Sequence, residues 1–436
     1  MNYTDLIRDA DHEPEQLETL YQSAVQADQA PAFADAIERY YAEAPDNLLY
    51  AAWHYRFVAQ VKTQLSEPSA QWWLAIPLSI LSGLLFWWLS DDKQFAVHKL
   101  PLLFFLAGPI SACFVTAFFS FALRVYPKRL FLLGLGLLGF VIYVVQAAEL
   151  LNNRVRQDDY LYIALLHLPL LAWGAVGVYL LWQKGEPEER FAFLIKSIEV
   201  IVTGGLFAAA GGIFTGVAFG MFRALGIELS ELVVRLFIAG GAGLLPVLAV
   251  ATVYRPEVSP LMQAFGQGLG KLIFTVTRLL LPLTLLVLIV YVALIPFNFM
   301  QPFHNRDVLI VYNAMLFGVM ALLVGATPVR DSELSPRLSL YLRRALFALV
   351  LLALVVGFYA MAAILYRTWQ GGFTPNRVMV IGWNVVNIAL LLILLAQQWQ
   401  VQPGKWLAAL RNTVSLGTKL YMAWAMGVVL LLPWLF

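Results

Sequence analysis

The feature that most limits what this chain can become is an apolar run, long enough to cross a bilayer, that recurs along most of its length. From Trp72 onward such runs follow one another, separated by short polar turns such as YPKR, NNRVRQDD and QKGEPEER. Hydrocarbon roughly 30 Å thick offers the backbone no hydrogen-bond partner, so a segment of about 20 residues crosses it as a helix. The fold expected is all-α: a polytopic transmembrane helical bundle of about eleven spans, with a small N-terminal soluble helical head. The spans lie near 72–90, 101–123, 130–149, 160–182, 197–222, 232–253, 272–297, 308–327, 345–366, 378–398 and 418–435. Composition agrees: 61% of the residues are hydrophobic and 13% charged, too little polar surface for a soluble domain of this size. Thirteen Trp and 18 Tyr suit the two interfacial belts, where an amphipathic ring sits at headgroup level.

Residues 1–70 read differently. The opening MNYTDLIRDADHEPEQ has no basic stretch followed by an apolar one, so it is not expected to be a cleaved signal peptide. Three short helices follow. Pro14 opens the first, with Leu17, Leu20, Tyr21, Ala24 and Val25 on one stripe. Pro31 opens the second, with Phe33, Ile37, Tyr40 and Tyr41 on one face, and Asp46 caps the third, which carries Leu49, Ala52, Trp53 and Phe57. The head resembles a helical-repeat hairpin but is too short for a solenoid, which needs about three repeats. Residues 1–50 carry eleven acidic and two basic side chains, a net of −9, and the remainder carries +11. An acidic head repels phosphate, and the basic residues are scattered through short loops, so nucleic acid is not an expected partner. The expected partners are the lipid bilayer and a protein at the acidic head.

The basic residues also set the orientation. With the head inside, the inner loops hold 17 Lys and Arg, from Arg56 and Lys62 through Lys184, Arg190 and Lys196 to Lys405, Arg411 and Lys419. The outer loops hold nine. The cytoplasmic side collects Lys and Arg, so the N-terminus is expected inside and Phe436 outside. Two basic segments, SPRLSLYLRRAL (335–346) and GKWLAALRNTV (404–414), read equally well as interfacial helices or as the polar ends of spans.

Several stretches carry a resemblance. ERFAFLIKSIEVIVTGGLF opens a glycine-rich span, RLLLPLTLLVLIVYVALIPFNF forms another, and LYRTWQGGFTPNRVMVIGWN brings Arg367, Gly372, Thr374 and Arg377 to the start of a helix. Over roughly residues 190–400 the pattern resembles the bacterial domain-of-unknown-function 4153 family of membrane proteins. It departs from that family where the usual aromatic-Gly-Leu-Thr reads Gly371-Gly372-Phe373-Thr374, and the chain is shorter than many members. The resemblance implies a bacterial cytoplasmic (inner) membrane protein and supplies no reaction.

Polar groups inside apolar spans are the candidate functional residues. Gly204, Ala208, Gly212, Gly216 and Gly220 repeat every four residues in the fifth span, a stripe that lets another helix approach closely or serves a dimer contact. Lys196 and Glu199 lie one turn apart just before it and can neutralise each other. Arg278 lies well inside the seventh span, flanked by Thr275, Thr277 and Thr284, with Pro282 one turn on. It reads either as snorkelling to headgroups or as an anion contact or counter-charge to Glu199. Arg377, Asn384 and Asn387 share a face of the tenth span, as helix-bridging groups or as the lining of a polar cavity. Gln146 and Glu149 make a similar patch, and His167 reads as a helix-bridging group.

Enzyme signatures are missing: no HExxH, CxxC, G-x-S-x-G or phosphate-binding loop occurs. The histidines at 12, 54, 98, 167 and 304 lack metal-ligand spacing, so neither a metal nor a cofactor is expected. Asp91 and Asp92 open the first outer loop, where some lipid-sugar transferases hold a metal, but that loop is short. Cys113 reads as a small buried hydrophobe. Three functions remain: a permease- or channel-like protein with Lys196, Glu199, Arg278, Asn384 and Asn387 around one site; a scaffold recruiting a partner through its head; and, weakest, a lipid-linked transferase.

Overall fold

The computed structural model describes residues 6–436 apart from 9, 11–12, 27–28, 45, 66–70, 126, 183–184, 266–267, 331–334 and 402–404. His12, Tyr126, Lys184 and Gly404 lie outside the described residues, as do the side chains of Pro31 and Lys62. The chain divides into two compact units, Met1–Ala70 and Gln71–Phe436.

The first unit holds α1 (Pro14–Gln26), α2 (Ala30–Glu43) and α3 (Leu48–Leu65). Its core gathers Ile7, Leu17, Ala24, Phe33, Ile37, Tyr40, Tyr50 and Trp53. Tyr21 meets both Phe33 and Trp53 at ring-centroid distances of 5.6 and 5.2 Å. Val25 is exposed instead of joining the stripe. The third helix is capped by Asn47, not Asp46: its Oδ1 accepts the Leu49 amide at 2.9 Å. The cause is register, because the helix starts at Leu48 and leaves Asn47 in the capping position.

In the second unit the helices are α4 (Trp72–Leu89), α5 (Leu102–Leu123), α6 (Pro127–Ala148), α7 (Arg154–Leu180) and α8 (Pro187–Ala224). They continue as α9 (Glu231–Val253), α10 (Gly268–Leu294), α11 (Arg306–Ala326), α12 (Pro336–Gly371), α13 (Pro375–Gln400) and α14 (Trp406–Leu435). Among the described residues these eleven are long and apolar enough to cross a membrane. A two-residue hairpin, β1 (Ala96–Val97) with β2 (Leu100–Pro101), pairs antiparallel between α4 and α5. The starts follow from sequence: the side chains of Asn153, Asn305, Ser335 and Thr374 cap α7, α11, α12 and α13, and Pro187, Pro336 and Pro375 occupy first turns.

Successive helices run in alternate directions between two ends. At one end Gln71 meets Glu257, Arg330 meets Leu261 and Arg411 meets Pro328. At the other, Lys93 meets Glu231, His98 meets Glu149 and Arg156 meets Phe436. These are called the Gln71 end and the Phe436 end. Exposed tryptophans mark both: Trp73, Trp182 and Trp399 near the first, Trp88, Trp369 and Trp434 near the second. Between them the perimeter is apolar, with Leu132, Leu135 and Leu138 on α6 and Leu279, Leu283 and Leu286 on α10 all exposed. Such a surface suits hydrocarbon and would drive association in water.

Three helices outrun their apolar cores. α8 has 38 residues and α12 has 36, about 57 and 54 Å at 1.5 Å per residue. The basic segment 335–346 is the first turns of α12, and most of 404–414 is the start of α14, so both are polar ends of longer helices.

The glycine stripe is where expectation and structure part most clearly within the packing. Only Gly204 meets a neighbour, Ala249; a side chain added at Gly212, Gly216 or Gly220 would touch nothing within 4 Å, and Ala208 is exposed. The close helix crossing lies elsewhere, between α4 and α9. A Cβ on Gly83 would stand 2.8 Å from the Gly240 carbonyl, and one on Gly243 would stand 2.9 Å from Gly83 Cα. A π turn over Leu236–Gly240 sits in α9 at that approach.

Candidate functional site

Lys196 and Glu199 are on the same side of α8, one turn apart, and form an ion pair of 2.6 Å with 4% and 5% of their surfaces exposed. Gly270, at the start of α10, lets that helix close over Glu199, since a Cβ there would lie 2.7 Å from Oε1. Phe265 lays its ring 5.0 Å from the Lys196 ammonium. Thr203 donates to the Glu199 carbonyl at 2.8 Å, while Glu199 Oε1 has no partner among the described residues. A buried pair of this kind persists because each charge makes the other bearable away from water.

Beside the pair lies a cavity of about 420 Å³, walled by α5, α7, α8 and α9. Its lining is apolar apart from a few groups: Ser111, Trp173, Lys196, Ser197 and Tyr254. The Tyr254 hydroxyl is buried and unpartnered among the described residues. Trp173 donates its indole N–H to Ser197 Oγ at 2.9 Å, and Ser197 donates in turn to the Phe193 carbonyl at 2.8 Å. Gly108 brings α5 against Pro169 of α7, where a Cβ would stand 2.9 Å from Pro169 Cα.

The other three residues expected at this site are elsewhere. Arg278 donates from Nε to the Ala326 carbonyl at 3.4 Å, and Thr277 beside it donates to the Gly325 carbonyl at 2.8 Å. Both serve the end of α11, whose last carbonyls have no donor within the helix. Asn384 donates to Asn313 Oδ1 of α11 at 2.5 Å, and Asn387 accepts from Tyr421 of α14 at 2.5 Å. Both asparagines are 1% exposed and tie α13 to its neighbours. His167 extends this seam: its Nδ1–H faces the Ile163 carbonyl at 2.7 Å, so Nε2 accepts the Trp383 indole N–H at 3.1 Å and joins α7 to α13. Gly382 leaves room for Trp424, which would otherwise meet its Cβ.

The motif behind the family resemblance builds the turn from α12 to α13. Gly372 takes φ +72°, Thr374 caps α13 by accepting the Arg377 amide, and Arg377 reaches back to the Gly372 carbonyl at 2.5 Å. Arg367 holds the His304 carbonyl at 2.9 Å. Asp91 pairs with Arg235 at 3.1 Å, and Glu149, expected to share a patch with Gln146, pairs with His98. No cluster of metal-binding side chains occurs among the described residues.

Sequence reading missed Asn313 and Tyr421, the partners that explain the two asparagines, and Trp173 and Ser197 beside the cavity. Asn313 carried a usable signal, being a lone amide in the apolar run of α11. No protein-family model matches the chain, and neither the curated proteins nor the solved structures hold a match to it.

Proposed function

We propose that this is an integral membrane protein of permease-like character, whose helical unit admits a ligand into the cavity beside Lys196 and Glu199. The observation that carries the reading is the cavity itself, about 420 Å³ and partly open between helices, with a buried charge and a hydroxyl unpartnered among the described residues in its wall. A polar group bound in the cavity would relieve the Tyr254 hydroxyl, since an unmade buried hydrogen bond costs about 1–3 kcal/mol. The apolar perimeter and the tryptophans at both ends support a bilayer around the unit. The excess of Lys and Arg in the loops of the Gln71 end supports a cytoplasmic head, and the family resemblance supports a bacterial inner membrane.

Cysteine accessibility tests this. In a Cys113→Ala background, Ser111→Cys in lipid nanodiscs is expected to react with a small methanethiosulfonate reagent, while Ser79→Cys, buried between helices, stays unmodified. An unreactive thiol at position 111 overturns the reading.

A second reading has its own observation. The head has a core of its own and exposes Glu13, Glu15, Asp35, Glu38, Glu43 and Asp46. Such a surface suits a basic protein partner. Pull-down by residues 1–70, lost when four of these carboxylates become amides, would favour it.

A further inference from the structure

The cavity has a second compartment next to it. A groove of about 510 Å³ lies between α7, the start of α8 and α14. Trp173 and Phe193 line both spaces, and their rings stack with centroids 5.4 Å apart. The pair is therefore the partition between them. One hydroxyl holds the Trp173 half: Ser197 Oγ accepts from its indole while donating to the backbone carbonyl of Phe193 one turn back on α8, and the Phe193 ring is held by packing. Two glycines make the arrangement possible: a Cβ on Gly177 would stand 2.9 Å from the Phe193 ring, and Gly174 leaves room for Met422.

The two spaces differ in chemistry. The inner one is elongated: Ala107 and Phe119, both in its wall, are twelve residues apart on α5, about 18 Å along the axis. The groove carries Arg190 and Lys419. Arg190 is held by Ser415 at 2.6 Å, whereas Lys419 is exposed and makes no ion pair with a described residue. Cations line the groove at the Gln71 end, and the apolar cavity lies on the other side of the Trp173–Phe193 pair.

We infer that groove and cavity form one route for a single-chain anionic amphiphile taken from the surrounding leaflet, its head on Lys419 and Arg190 and its chain passing the Trp173–Phe193 gate into the slot. The inference rests on the permease-like reading above and names its ligand class. A polar solute has too few partners in the slot, whose lining is apolar apart from a few groups.

The experiment uses the full chain in phosphatidylcholine nanodiscs with 16-doxylstearate as probe, and a doxyl-labelled alkyltrimethylammonium of equal length as its cationic counterpart. The stearate is expected to show a saturable immobilised component in its spin-resonance spectrum, and the cation none. Lys419→Gln, at an exposed position, should weaken stearate binding about fivefold, the worth of one cation beside an anionic group at the surface. Ser197→Ala, which frees the gate with little change in volume, should speed exchange of bound probe; Trp173→Ala should do so more strongly if it folds. Equal binding of the cation, or no effect of Lys419→Gln, overturns the anionic assignment. Unchanged exchange in Ser197→Ala overturns the gate. Absence of any immobilised stearate while the thiol of Ser111→Cys still reacts removes the ligand class and leaves the permease-like reading standing. If that thiol is unreactive as well, both fall.

Discussion

At the Phe436 end of the helical unit, charged side chains are matched with one another. Lys93 meets Glu231 at 2.7 Å, Arg235 meets Asp91 at 3.1 Å, and His98 reaches both Glu149 and Asp158. At the Gln71 end, arginines reach backbone carbonyls where helices stop. Arg278 serves Ala326 at the end of α11, Arg411 serves Pro328 just beyond it, and Arg343 serves Gln398 and Val401 at the end of α13. The division is not total, since at the Phe436 end Arg156, Arg367 and Arg377 take the carbonyls of Phe436, His304 and Gly372. Both devices answer the same need, which is to satisfy polar groups at the edge of an apolar layer. They differ in what disturbs them. A guanidinium on a carbonyl has no group that titrates in the working range, whereas a carboxylate pair answers to acid and to salt. Among the described residues the Gln71 end also holds a carboxylate pair, Lys196–Glu199, and this pair is buried within the bundle.

That exception gives the largest expected effect. Lys196→Ala strands the Glu199 carboxylate in the interior and should cost about 3–5 kcal/mol, read as a fall in thermal midpoint in detergent. Lys196→Met combined with Glu199→Gln should recover most of that loss; a double variant no better than the single one would mean that packing, not charge, is at stake.

Arg411→Ala comes next. Its side chain is 8% exposed, and its removal leaves the Pro328 carbonyl without this donor, for an expected loss of about 2–3 kcal/mol in denaturant unfolding. The loss should hardly vary between pH 5 and 8. A strong pH dependence would break the contrast between the two ends.

Acid should act on the Phe436 end first. Partial burial works to raise the Asp91 carboxyl, but the Arg235 guanidinium and the amides of Lys93 and Gln94 outweigh it and hold the carboxyl below its ordinary value. A group depressed in the folded state adds stability that is present above its unfolded value, about 3.9, and is lost as pH falls through the folded one. Amide exchange in the 91–101 loop should therefore rise below about pH 4 before exchange in the 328–344 segment does. Arg235→Gln should abolish that order. The smallest effect belongs to Lys93→Ala: both partners of that pair are more than half exposed, so the thermal midpoint should not move measurably.

Hydropathy located all eleven long helices because a bilayer-length apolar run has one viable structure, whatever its neighbours. It placed the ends of α8, α12 and α14 too far in, since a helix continues through polar residues once its first turns are formed and hydropathy registers only the apolar part. The pairing of Lys196 with Glu199 was legible from their spacing, a local property of one helix. Asn384 and Asn387 were legible as polar groups that need partners, but not as groups whose partners are Asn313 and Tyr421. The glycine repeat shows why. A stripe fixes which face of α8 is smooth and says nothing about whether a helix of this chain lies against it, while Gly83 and Gly243, which have no such repeat between them, bring two helices to backbone contact.

By itself, then, the sequence determined the class of structure, the number of long apolar helices, their alternation and the acidic head, because each follows from local composition and helical geometry. The tertiary structure alone decided which polar groups meet. It set Arg278 on the end of α11, separated the asparagines from the Lys196–Glu199 pair, and left a slot and a groove on either side of Trp173 and Phe193. Those outcomes depend on how helices distant in sequence pack side by side, and the energy that selects one arrangement belongs to pairs of surfaces that no single segment contains.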